Sequence, residues 1–193
     1  MITRSPVALG FLLAAFSSVL AAVSCTSETT PIVYIGMAYQ VRCLDCQPRV
    51  PDANAHDVRA VDGEAGYNMS CVANRDGGSR HVTFSAEHKN DDSARTYTVS
   101  VRNARLAAEE SDGICEVRII EGDNTFVAPC STDEPSSEHP CQVTTELKGD
   151  VVKGKIFCDK VPSEVSQTSV RSLVAPYTRT DPAEFELYGC AGL

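Results

Sequence analysis

The groups in this 193-residue chain that could do chemistry are nine cysteines, four histidines and twenty-six acidic residues. Cys43-Leu44-Asp45-Cys46 has the spacing of a dithiol redox pair. Such a pair works when a helix N-terminus stabilises the thiolate. Here Gln47-Pro48-Arg49-Val50-Pro51 follows, which cannot open a helix, so a structural disulfide closing a small loop is expected. A zinc site on Cys43, Cys46 and His56 would lack a second half-site. The histidines His56, His81, His88 and His139 show no metal spacing. HExxH, GxSxG, the phosphate-binding loop and the dinucleotide fingerprint are all absent from the sequence. Asn90-Asp91-Asp92 and Glu121-Gly122-Asp123-Asn124 offer carboxylates, but neither fits an EF-hand and both read as turns. Asn68-Met69-Ser70 is a glycosylation sequon by letter only. The sequence therefore predicts no catalytic residue, no metal site, no cofactor and no enzymatic activity.

One segment carries a different kind of chemistry. Residues 7–25, VALGFLLAAFSSVLAAVSC, hold no charge, follow a single Arg4 and end on small residues. An apolar run of about 7–15 residues with a small-residue tail is the pattern of an export signal. A retained span wants about 20 apolar residues and charged flanks, whereas Cys-Thr-Ser-Glu-Thr-Thr follows here. Residues 1–24 read as a cleaved signal peptide, leaving Cys25 first.

Ala21-Ala22-Val23-Ser24-Cys25 resembles the lipobox of bacterial lipoproteins. The resemblance covers about the first 25 residues, and it departs from the family at Ala22, where leucine is commoner. It implies a diacylglycerol on the Cys25 sulfur, cleavage before Cys25 and acylation of the new amino group. Thr26, in place of an aspartate, then implies sorting to the outer membrane of a bacterial envelope. The alternative is ordinary signal cleavage at Ala22-x-Ser24 and a released protein. Cysteine parity separates the two. Without Cys25, eight cysteines remain and can close four bridges; with Cys25 unmodified, one thiol is left over. Each buried methylene contributes roughly 0.8 kcal/mol to membrane binding, so two or three chains hold a protein firmly.

The chain carries a formal charge of −9. Removing residues 1–24 deletes one cation, Arg4, and no acid, giving −10. An acidic chain without a basic run is unsuited to nucleic acid and to anionic lipid surfaces. Eight cysteines in an exported chain indicate bridges formed in an oxidising compartment.

Short alternating segments dominate the remainder. Residues 26–31 form a polar tether, within a lipidated N-terminal region spanning 25–36; residues 37–193 form the domain. Ile32-Val33-Tyr34-Ile35 and Tyr39-Gln40-Val41-Arg42 suggest a first strand broken at Gly36, and 44–66 reads as a long surface loop. Tyr67, Met69, Cys71 and Ala73 alternate inward, as do Val82, Phe84 and Ala86, around the turn Arg75-Asp76-Gly77-Gly78. Residues 96–101 alternate again; 102–110 fits either a short helix or a strand. Strands at 115–119, 125–128, 142–147, 151–157 and 184–188 follow, with a short edge strand at 170–174. Eight or so strands without a helical period predict a single all-β, disulfide-stapled sandwich.

Turn geometry also pairs cysteines. With Gly149-Asp150 as a two-residue turn, stepping outward from Lys148 and Val151 brings Cys141 opposite Cys158. Stepping outward from Glu121 and Asn124 brings Cys115 opposite Cys130. Cys71 would then join Cys190, and Cys43 would join Cys46. The rival pairs Cys130 with Cys141 and Cys158 with Cys190; eight cysteines allow 105 connectivities.

The order from Cys71 through two hairpins to Phe185-x-Leu187-x-x-Cys190 resembles small lipoprotein antigens of actinobacteria. That resemblance implies an acylated, surface-exposed β-domain without enzymatic activity. The expected protein is an envelope lipoprotein, held to the membrane by lipid, serving as a structural or binding module. The alternatives are a small envelope enzyme or a released inhibitor-like factor.

Overall fold

A computed structural model describes residues 32–45, 55–61, 66–76, 79–90, 95–106, 114–166 and 168–193. The signal segment, Cys25, Cys46 and the Gly77-Gly78 turn lie outside these residues. Every regular element described is a strand. The order is β1 (Tyr34–Cys43), β2 (Ala55–Val61), β3 (Tyr67–Asp76), β4 (Ser79–Asn90), β5 (Arg95–Arg105), β6 (Cys115–Glu121), β7 (Asn124–Ser131), β8 (Cys141–Lys148), β9 (Val151–Pro162), β10 (Val170–Val174) and β11 (Ala183–Tyr188).

Alternation places the core as expected. Met69 and Cys71 of β3, Val82, Phe84 and Ala86 of β4, and Val99 and Val101 of β5 are buried, while the residues between them on each strand are less buried. Strands β3 to β7 form an antiparallel meander. A short parallel pairing of Cys130-Ser131 with Cys141-Gln142 joins β7 to β8. The path continues through β9 and then β1, with β2 beyond it. It is one continuous hydrogen-bonded path, not two separately bounded sheets.

The path also returns on itself. The Phe84 ring of β4 lies 4.8 Å from the Phe185 ring of β11, although the two strands are far apart in pairing order. Ala191, just past β11, exchanges backbone hydrogen bonds with Cys71 and Ala73 of β3. Phe185 needs room for this contact, and Gly154, its partner on β9, provides it. A Cβ on Gly154 would collide with the Phe185 ring and the Thr144 carbonyl oxygen.

Three sequence expectations change, and one left open, at 102–110, resolves to strand over 102–105. Gly36 does not break the first strand: β1 runs from Tyr34, inside the segment read as tether, to Cys43. Residues 55–61 are not loop; β2 pairs with β1 over seven consecutive positions. Residues 102–105 are strand, and a bulge opposite Thr83 interrupts the ladder there. Asn103 sits in that bulge at φ 53°, donating its N–H to Thr83 Oγ1 at 3.1 Å. Finally, β10 is not an edge strand. It lies between β1 and β9, paired to both. β11 is paired to the same two strands further along. β10 and β11 therefore form one interrupted strand line, and residues 175–182 are an excursion from it.

Candidate functional site

The cysteines settle into the β ladders. Cys141 and Cys158 are register partners on β8 and β9 and form a disulfide with Cα atoms 4.1 Å apart. Cys115 and Cys130 are register partners on β6 and β7, bridged at 4.9 Å. Cys71 of β3 is bridged to Cys190, 119 residues later, at 4.6 Å. Cys130 also lies beside Cys141 across the parallel pairing, yet both bond elsewhere. Cys43 is disulfide-bonded too, which removes the thiolate a zinc site would need. It ends a strand rather than opening a helix. Cys46, the expected partner of Cys43, and the side chain of His56 lie outside the described residues.

Two concave places stand out. The first is a groove of about 510 Å³ along β1 and β11. Gly36 and Ala38 line it with small residues; Tyr34, Pro176 and Pro182 bound it; Glu184 and Glu186 flank it. Tyr34 meets Tyr188 edge to face, with ring centroids 5.4 Å apart. Tyr188 donates its hydroxyl to Glu186 at 3.0 Å, a bond that raises its pKa. Lys153 donates to the same carboxylate, which raises the lysine pKa. Lys155 pairs with Glu184 at 3.3 Å.

The excursion over this groove is tied down from below. The buried Gln40 side chain accepts the Tyr177 N–H at 3.1 Å. Ala175 N–H donates to the Asp181 carbonyl at 2.8 Å, and Thr178 Oγ1 donates to the Ala175 carbonyl at 2.9 Å. Tyr177 is held at φ 63° with its ring 89% exposed. A bulky residue at positive φ is an outlier that its surroundings must enforce.

The second place is a pocket of about 240 Å³ beside the Cys115–Cys130 bridge. Asn103, Arg105, Ser131, Thr132, His139 and Val143 complete its lining. The loop after β7 is fixed by Gln142 Nε2 donating to the Thr132 carbonyl at 2.9 Å and by His139 N–H donating to Ser136 Oγ at 3.0 Å. The Arg105 carbonyl accepts a hydrogen bond from Thr145 of β8. Its guanidinium Nε and Nη2 are buried without a hydrogen-bond partner among the described residues. Composition flagged the cysteines but not this arginine, because burial of one cation leaves no mark on sequence pattern.

Arg171 shows the contrasting case. It lies 4.4 Å from the Phe126 ring centroid and pairs with Glu121 at 2.9 Å and Asp45 at 3.3 Å. The Val170 N–H lowers the Asp45 pKa most, against desolvation, with its own backbone N–H and then the Arg171 charge adding to the lowering. These contacts tie β10 to the β6–β7 turn and to the end of β1, a structural role. Among the described residues no three His, Cys, Asp or Glu side chains gather as a metal-ligand set. No family model, curated protein or solved structure matches the chain.

Proposed function

We propose that this chain is an exported bacterial envelope lipoprotein: a disulfide-stapled β-domain, tethered through an acylated Cys25, that serves as a structural or binding module. The observation that carries this reading is the state of the cysteines. All seven in the described residues, Cys43, Cys71, Cys115, Cys130, Cys141, Cys158 and Cys190, are disulfide-bonded. Such a frame is assembled and kept in an oxidising compartment, which agrees with a cleaved signal over residues 1–24. The contact between Phe84 and Phe185 and the Ala191 bridge to β3 support a two-layer sandwich, with the strand path folded over its own core. The groove beside Tyr34 and the anchored Tyr177 support binding rather than catalysis, since they present rings and paired carboxylates without an activated nucleophile.

Detergent-phase partitioning of the protein expressed with its own signal tests the tether. Wild type is expected in the detergent phase and Cys25→Ser in the aqueous phase. Equal partitioning would remove the anchor and leave a released factor.

A further inference from the structure

We propose that the pocket beside the Cys115–Cys130 bridge binds a small oxyanion, a carboxylate or phosphate group, with Arg105 as its principal cation. A guanidinium stays charged at any pH the fold survives, and it carries no acceptor of its own. A buried charge without a counter-charge is strongly unfavourable, so a fold that keeps one supplies a partner or takes one from solution. Arg105 has Nε and Nη2 buried and unpartnered among the described residues. Among the described residues lining its pocket there is no carboxylate. Arg171, in the same fold, receives two carboxylates and an aromatic face. Among the described residues, then, one inward arginine is neutralised internally and the other is not.

The rest of the lining suits that ligand. Thr132 carries a hydroxyl, His139 an imidazole and Asn103 an amide with one N–H given to the Ile114 carbonyl, all able to donate to an oxyanion, while the Ser131 hydroxyl donates to the Asp133 carbonyl. The loop carrying Thr132 and His139 is fastened by its own hydrogen bonds, so these donors need little reorganisation. A second orphaned nitrogen lies next door. His81 is the register partner of Arg105 on β4, is 6% exposed, and its Nδ1 has no partner among the described residues. On a chain with a net charge of −9, a pocket whose described lining holds an arginine and no acid is a local reversal of sign. The inference is independent of the anchor at Cys25.

The test is calorimetric titration of the oxidised full chain with sodium phosphate and, separately, sodium succinate, at constant ionic strength set with chloride. Saturable binding of at least one is expected. Arg105→Gln should weaken it about tenfold or more, the loss of a charge-assisted bond. Lys148→Gln, which removes an exposed cation at the β8–β9 turn, should leave it unchanged. Binding of phosphate alone assigns a phosphate-bearing ligand; binding of succinate alone assigns a carboxylate. Should Arg105→Gln fail to fold, wild-type NMR decides: the anion must shift the Arg105 Nε–H and His139 ring signals. No saturable binding of either anion, undiminished affinity in Arg105→Gln, or shifts confined to other residues would overturn the proposal.

Discussion

Single residues carry two of the constraints here. Gly154 gives the Phe185 ring the space it fills against Phe84. Gly154→Ala should destabilise by about 1–3 kcal/mol, an overpacking cost, read as a lower urea midpoint at unchanged slope. Tyr177 holds the opposite kind of strain. Its left-handed backbone conformation is unfavourable for any side chain with a Cβ, so Tyr177→Gly should leave stability unchanged or raise it by up to about 1 kcal/mol. A loss of stability would mean the ring packs somewhere its exposure does not show. Neither constraint was legible beforehand. A glycine in a strand looks like any other until the facing ring is known, and Tyr177 sits in a segment with no periodicity. The cysteines were legible, because a two-residue turn fixes register and register brings Cys141 opposite Cys158.

Elements were legible where one face is buried and the other is wet. β3, β4 and β5 alternate and were readable; β2 was not, and β10 was readable as a strand but not in its place. β2, Ala-His-Asp-Val-Arg-Ala-Val, is a strand through its backbone ladder to β1 rather than through side-chain pattern. β10 reads as an edge because it is short, yet it fills a position between β1 and β9 that β11 completes. Arg171 and Asp45 fasten that position. Asp45 has its pKa lowered, first by the Val170 N–H, then by its own backbone N–H and Arg171. A lowered folded-state pKa contributes stability above the unfolded value, near 4, and that contribution fades as pH falls through the folded value. Asp45→Ala should therefore be less stable than wild type at pH 7, by under about 1 kcal/mol given its partial exposure. The difference should vanish in strong acid; a constant difference across pH would point to packing instead of charge. Arg171→Met should cost about 2–4 kcal/mol, because Glu121 is left mostly buried without its cation.

At the scale of the molecule, the bridges differ in reach. Cys115–Cys130 and Cys141–Cys158 staple hairpins of 15 and 17 residues' separation, while Cys71–Cys190 ties β3 to the chain end across 119. In the chain-entropy account a loop of about 15 residues is worth about 3 kcal/mol and one of about 100 nearly 5. Paired Cys→Ala variants should thus fall in stability most for Cys71 with Cys190. The path of eleven strands could not be read from the sequence, since order in a sheet depends on long-range pairings that local pattern does not encode. What was legible at this scale is the all-β class and the disulfide-bonded state of the described cysteines, the logic on which the proposed export rests. That logic is tested most directly by intact-mass and thiol analysis of the mature protein purified from its host's membranes. The expected result is a chain beginning at an acylated Cys25 with the eight other cysteines unreactive to alkylation before reduction. A mature chain with unmodified Cys25, or with free thiols in the β-domain, would contradict the account.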